Sequence, residues 1–283
     1  MKEHHKEHAL SQMCRILGLS RSGYYEWLDR QGKPSPRATH RNMLDQQVKE
    51  MFLAKRGRAG SPRIMRHLHA IGHTYDKKTV ANSMQRQDFR AKAARKFKAT
   101  TNSKHNMPVA DNILQQNFSA TRPDQKWVSD ITYLWTDEGW MYLAVVIDLY
   151  SRMVVGWAMS ERMTAVLVID ALRSAIWRRK RPRGVIVHSD RGSQYCATDY
   201  QKLLRKYGLR CSMSAKGNCY DNACAESFFH SLKVEAIHGE RFVTRESIHR
   251  SVFEYIEVDY NRTRLHSSNG YVSPADYEAL KVA

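Results

Sequence analysis

Lys126-Trp-Val-Ser-Asp-Ile-Thr-Tyr-Leu134 is an extended apolar run interrupted by one acid, Asp130. Its β-branched and aromatic residues read as a strand with a carboxylate set inside it. A second run, Gly184-Val-Ile-Val-His-Ser-Asp190, ends on an acid just before Arg191-Gly192-Ser193. A third acid, Glu226, falls in a helical stretch after Lys216-Gly-Asn-Cys-Tyr-Asp-Asn222. A carboxylate at or within a buried strand is costly unless it is paired or metal-bound. All-oxygen donors of this kind suit Mg²⁺ or Mn²⁺ better than zinc. Asp130, Asp190 and Glu226 are therefore the candidate chemical centre.

Outward from that centre, residues 126–135, 140–148 and 152–160 predict three strands, parted by Gly139 and a turn at 149–151. A helix at 164–179 follows, with Thr164 as its cap, then strand 184–190, helix 198–207, strand 209–213 and helix 221–237. Hairpin strands followed by alternating helices and strands predict an α/β fold, a mixed sheet with helices on both faces. In the last of these helices Asn222, Glu226 and Lys233 share one face by their spacing, so all three look into one cleft. Ala225, Phe228, Leu232 and Ala236 would then face the core. A further helix runs from 242 to about 259, ahead of Tyr260-Asn-Arg-Thr-Arg264. Tyr260, Leu265 and Tyr271 read as packing residues there, with DNA contact by the arginines as the alternative.

The front of the chain differs in charge and in period. Residues 1–107 hold 23 Lys+Arg against 8 Asp+Glu, a net of +15, and residues 108–283 hold 23 against 20, a net of +3. Such asymmetry predicts a polyanion-binding front joined to a differently employed back half. Residues 9–30 read as two short helices around Gly18-Leu19, with apolar stripes Leu10, Met13, Ile16, Leu17 and Tyr24, Tyr25, Trp27, Leu28. Ser20 caps the second helix, and Gln31-Gly-Lys-Pro-Ser-Pro36 reads as a linker. Helices over 41–54, from Ser61-Pro62, and over 76–87 form a second unit, followed by a basic connector at 90–107. The first pair has the layout of a helix-turn-helix.

Other classes are disfavoured. No run approaches the roughly 18 apolar residues of a membrane helix, and the start lacks a signal peptide's apolar stretch. The five cysteines are scattered without a close pair, which predicts free thiols in a reducing, cytoplasmic setting. Ser189 and Ser193 have no histidine and aspartate at a spacing that would make either a nucleophile. His188 fills its strand or assists the site, and Asp221 caps the helix start. Arg178-Arg-Lys-Arg181 reads as a solvated helix end, with DNA contact as the alternative.

Together, Trp127-Val-Ser-Asp-Ile-Thr-Tyr133, His188-Ser-Asp-Arg-Gly-Ser-Gln-Tyr195, Lys216-Gly-Asn-Cys-Tyr-Asp-Asn-Ala223, Glu226-Ser-Phe-Phe229 and Tyr260-Asn-Arg-Thr-Arg264 carry a resemblance over nearly the whole chain. The chain resembles the orfB-type transposases of bacterial insertion sequences, whose DDE core is similar to that of retroviral integrases. The resemblance implies a ribonuclease-H-like five-stranded core, metal-dependent DNA strand cleavage and transfer of a 3′-hydroxyl to target DNA. It implies Asp130 bridging two Mg²⁺ or Mn²⁺ ions, with Asp190 on one and Glu226 on the other. It also implies DNA contacts by Lys233, Asn222, Lys216 and Arg191, and a family place for Asp148 without a metal role. The integrases' His-His-Cys-Cys zinc domain is not matched, since His4, His5 and His8 stand with Cys14 alone. Ala223-Cys224-Ala225 departs from the proline and methionine that the family often carries before its glutamate. The implied partners are double-stranded DNA, further copies of the chain in a synaptic complex and an upstream-frame fusion product. The expected division is 1–36 and 37–107 for the two helical units, 108–240 for the core and 241–283 for a closing segment. A non-catalytic DNA-binding regulator and a ribonuclease-H-like nuclease are the alternatives.

Overall fold

The computed structural model describes residues 1, 4, 7–33, 35–92, 108–215 and 222–282. Lys216, Cys219 and Asp221 lie outside them. The chain divides into two units, Met1–Ala91 and Lys92–Ala283, each considered by itself.

The first unit is helical: α1 (Leu10–Ile16), α2 (Arg21–Arg30), α3 (Pro36–Ala54), α4 (Ser61–Ala70) and α5 (Lys77–Arg86). Its core joins Leu44 and Val48 of α3, Ala59 of the following loop, Ile64 and Leu68 of α4, and Val80 and Met84 of α5. α3 begins earlier than its apolar period, because Ser35 caps it and Pro36 takes the first position, where no amide is needed. Asp76 caps α5, accepting from Thr79 N–H at 2.7 Å. The far end of α5 is tied to α3 through Asp45, which accepts from Ser83 Oγ at 2.6 Å and from Arg86 Nε at 3.2 Å. Lys77, Lys78, Asn82, Gln85 and Arg86 are left on the solvent side of α5. The stripes expected in α1 and α2 are not buried. Ile16 is 80% exposed, and Leu17, Leu19, Tyr25 and Trp27 are exposed too. Two helices of 7 and 10 residues offer each other too little surface to cover them.

The second unit is built on one five-stranded sheet, in the order β3-β2-β1-β4-β5. Its strands are β1 (Lys126–Thr136), β2 (Gly139–Asp148), β3 (Val154–Ser160), β4 (Ile186–Ser189) and β5 (Arg210–Met213). β1–β2 and β2–β3 are antiparallel, and β1–β4 and β4–β5 parallel. That mixed order, with helices on both faces, is the ribonuclease-H-like α/β fold. On one face Trp127, Ala144, Val146 and Val155 pack under α6 (Ala165–Arg178) and α8 (Thr198–Lys206), with the short α7 (Ser193–Cys196) between them in sequence. On the other, Val128, Leu143, Val145 and Ile147 pack under α9 (Ala223–Leu232) and α10 (Arg245–Phe253). α6 crosses β3 so closely that a Cβ on Gly156 would stand 2.3 Å from the Ala171 carbonyl oxygen. Only glycine permits that approach.

α9 does not run straight on to 237. Its hydrogen bonding widens into a π turn at Lys233–Ile237, and α10 likewise continues as a π helix over Glu254–Thr263. The closing segment ends in α11 (Pro274–Val282).

Two ion clusters tie this segment back. Arg264 donates to Glu235 from Nε at 3.0 Å and to Ser231 Oγ at 2.9 Å, while Tyr255 OH donates to Glu235 at 3.0 Å. Arg179, at the end of α6, faces Asp124 and Asp148 at 3.3 Å each and donates to Glu278 of α11 at 2.6 Å. Arg178 pairs with Glu257 at 2.7 Å. Half of the basic run 178–181 is thus engaged in structural pairs, a correction to the solvated helix end expected of it. Asp148 is fully buried and accepts from Asp124 N–H at 2.8 Å and Tyr150 N–H at 2.9 Å, a structural role.

Gly156→Ala should destabilise the second unit by about 1–3 kcal/mol through overpacking. Arg179→Ala should cost about 3–5 kcal/mol by stranding buried carboxylates. Urea denaturation followed by circular dichroism checks both, and a wild-type midpoint in either variant would refute its account.

Candidate active site

β1 and β4 pair only through Lys126↔Ile186, Trp127↔Val187 and Val128↔His188. Beyond that the strands part, β4 ending at Ser189 while β1 continues along β2. Asp130 and Asp190 each lie two residues past the last pair, at matching register. A two-residue step keeps a strand side chain on its face, so both acids emerge together where the sheet opens.

The turn after β4 holds Asp190 in place. Its Oδ1 accepts from Gly192 N–H at 2.8 Å. A Cβ on Gly192 would stand 3.0 Å from that same oxygen, so a side chain there would crowd the carboxylate. Arg191 turns its Nε to the Ser214 carbonyl at 2.6 Å, tying the turn to the end of β5.

Beneath the acids is a fully buried polar layer. Ser212 Oγ accepts from Ile113 and Leu114 N–H at 3.0 and 3.1 Å, which leaves its hydroxyl proton for His188 Nδ1 at 2.9 Å. The other ring nitrogen of His188, Nε2, lies 3.2 Å from Ser214 Oγ. The histidine joins β4 to β5 and fills the strand. Ser129 Oγ donates to the Val145 carbonyl at 2.8 Å and takes a hydrogen bond from Tyr195 OH at 3.1 Å.

α9 brings the remaining groups. Asn222, at its start, is buried and donates from Nδ2 to the Ser129 carbonyl at 3.4 Å, next to Asp130. Its Oδ1 is buried with no hydrogen-bond partner among the described residues. Glu226, in the first turn, is exposed. Lys233, at the head of the π turn, is buried, its Nζ 5.1 Å from the centre of the Tyr133 ring. Ala225, Phe228, Leu232 and Ala236 are buried in the core.

The charges are coupled. Burial pushes the Asp130 carboxyl well above the usual carboxylate range, and the charges of Asp190 and Glu226 push it further. The Ile131 amide and the Lys233 ammonium oppose that rise. Burial also raises Glu226 and lowers Lys233, with Asp130 working against the latter. Asp130, Asp190, Glu226, Asn222 and Lys233 therefore share one neighbourhood. Among the described residues no three such groups close on a point as a complete ligand shell. An open set of carboxylate oxygens, repelling one another and partly solvated, nevertheless fits a hard cation that keeps several waters.

Of the predicted residues, Lys216 falls outside the described part, and Arg191 spends its Nε on the backbone of 214. The supports Ser129, Ser212 and Tyr195 escaped sequence reading, because a lone serine or tyrosine in a strand or turn carries no periodic signal.

Three family models match the chain: an HTH-like domain over residues 39–97 and two integrase core domain models over 120–219 and 226–281. The chain is 54% identical over 283 residues to the transposase InsF for insertion sequence IS3A of Escherichia coli strain K12, covering 100% of this chain and 98% of that one. It is 45% identical over 265 residues to a 31 kDa protein of insertion element IS600 from Shigella sonnei, covering 94% and 97%. Among solved structures, a chain of the simian T-cell lymphotropic virus intasome matches at 16% identity and a TM-score of 0.48, over 82% of this chain and 74% of that one.

Asp190→Asn keeps the Gly192 acceptor and removes one repelling charge from Asp130. It should raise stability in chelator-treated buffer at neutral pH by about 0.5–2 kcal/mol. Thermal denaturation reads this directly, and a lower melting temperature would mean the carboxylates are not in conflict.

Proposed function

The chain belongs to the insertion-sequence transposases with an integrase core, and from that membership we propose that Asp130, Asp190 and Glu226 form its strand-cleaving and strand-transferring centre. The reaction is two in-line displacements at phosphorus. Water first attacks at the element end, breaking the bond to the 3′-oxygen and freeing a 3′-hydroxyl. That hydroxyl then attacks a target phosphodiester, forming one phosphorus–oxygen bond as another breaks, with no covalent link to the protein.

The single observation that carries this reading is the matched register of Asp130 and Asp190 past the last β1–β4 pair. It presents two carboxylates side by side at the mouth of the sheet, with Glu226 acting on Asp130 from α9. These three residues would hold Mg²⁺ or Mn²⁺, two ions per site. Bound there, such ions would stabilise charge on the attacking and leaving oxygens. Asn222 fixes the start of α9 to the β1 backbone, which sets where Glu226 arrives. Lys233 supplies a fixed positive charge beside Asp130 for a backbone phosphate, and Arg191, next to Asp190 in sequence, and Lys216 are the further DNA contacts. The basic first unit grips double-stranded DNA, with the exposed Lys77, Lys78, Asn82 and Gln85 of α5 suited to phosphates and base edges. Joining two element ends calls for more than one copy of the chain, with or without an upstream-frame fusion product.

Glu226→Gln and Asp190→Ala should each lower cleavage and strand transfer on element-end DNA by more than about 100-fold in Mg²⁺. Both should leave DNA affinity within a few-fold of wild type by gel shift. Full cleavage by either variant would remove the mechanism. Lys233→Met should weaken DNA binding and reduce the slope of log K against log salt by about 1. An unchanged slope would take Lys233 off the phosphate.

A further inference from the structure

The outer end of the β1–β2 hairpin carries aromatic rings that neither face of the core absorbs. Tyr133, Trp135 and Trp140 are 37%, 55% and 45% exposed. Trp135 and Trp140 are cross-strand partners with ring centres 4.8 Å apart, and Trp140 meets Tyr133 at 5.1 Å, both pairs edge to face. The hairpin tip is held firmly. Asp137 N–H donates to the Phe242 carbonyl at 2.9 Å, Arg241 pairs with Asp137 at 2.9 Å, and Arg245 N–H donates to Glu138 at 2.7 Å. A contiguous aromatic surface is thus kept in water in one arrangement, which marks a surface made to be covered.

What lies beside the rings indicates the occupant. The Lys233 ammonium stands over the Tyr133 ring and acts on Asp130, so acid, cation and rings form one chain of contacts. Tyr133 and Trp135 stand three and five residues from Asp130, so by strand alternation they leave β1 on the face opposite the acid, and the Lys233–Tyr133 contact joins rings and acid. Ring faces receive any base by stacking, while an adjacent cation holds the backbone. A paired base offers no free face, so the platform needs unpaired ones. Resting on the reading of Asp130, Asp190 and Glu226 as a DNA strand-transfer centre, we propose that Tyr133, Trp135 and Trp140 form a stacking platform for unpaired bases next to the reacting phosphate.

The test uses the full chain and two fluorescent DNAs: a blunt duplex, and the same duplex with its terminal nucleotides unpaired by mismatches. Wild type should prefer the frayed duplex. Trp135→Ala and Trp140→Ala should each weaken binding to the frayed duplex roughly tenfold, with blunt-duplex affinity and the salt slope unchanged. Trp140→Phe should restore most of the loss, and Trp135→Leu, which keeps apolar bulk without a ring face, should not. Melting curves of the Phe and Leu variants separate misfolding from lost stacking. Equal losses on both DNAs, or no loss on the frayed one, would overturn the platform and leave the strand-transfer reading standing. A changed oligomeric state with unchanged DNA affinity would overturn it too, giving the rings to a second copy of the chain. Failure of wild type to bind either DNA would instead bring down the functional reading itself.

Discussion

The site depends on a parallel ladder that stops early. β1 and β4 pair for three residues and then separate, and the carboxylates stand just past the point of separation. Had the ladder continued, Asp130 and Asp190 would be shut between sheet and helices with no route for a substrate. Had it stopped sooner, nothing would hold the two acids at one height. The shortness of β4, Ile186–Ser189, is therefore as informative as its sequence. It leaves one edge of β1 free from Ser129 onward, and α9 approaches that edge with Asn222 against the Ser129 carbonyl.

Gathering like charges in one place is unfavourable, and the surroundings are stiff enough to impose it. His188 is satisfied on both ring nitrogens by serines, Ser129 is fixed by Val145 and Tyr195, and Glu235 is gripped by Arg264 within two residues of Lys233. None of these groups is free to swing toward the acids and neutralise them. The polar layer beneath the site and the ion cluster behind α9 thereby keep the carboxylates exposed to one another, the condition in which an open oxygen set attracts a hard cation.

Much of this was legible in the sequence, for identifiable reasons. β1, β2 and β3 are long, β-branched and bounded by glycine or a tight turn, so their limits were readable to within a residue or two. The 3.6-residue period placed Asn222, Glu226 and Lys233 on one face of α9, and they do meet around Asp130. What stayed hidden depends on pairing across the fold. Register between β1 and β4 is a relation between strands more than 50 residues apart and leaves no local trace. The widening of α9 at Lys233 shifts hydrogen bonds by one residue, below the resolution of a hydrophobic pattern. Arg178 and Arg179 looked like a solvated helix end because their acidic partners, Glu257 and Glu278, come some 80 and 100 residues later. In α1 and α2 the apolar stripes were read correctly as stripes, but nothing in a short helix tells whether another surface covers it.

The cluster around Arg179 has a bearing on how the protein is made. Asp124, Asp148 and Arg179 all leave the ribosome well before Glu278, the third acid to grip the arginine. Until α11 emerges, the sheet of the second unit holds two acids around one arginine without that outer clamp. Nascent chains that have not yet made α11 therefore share an unfinished core.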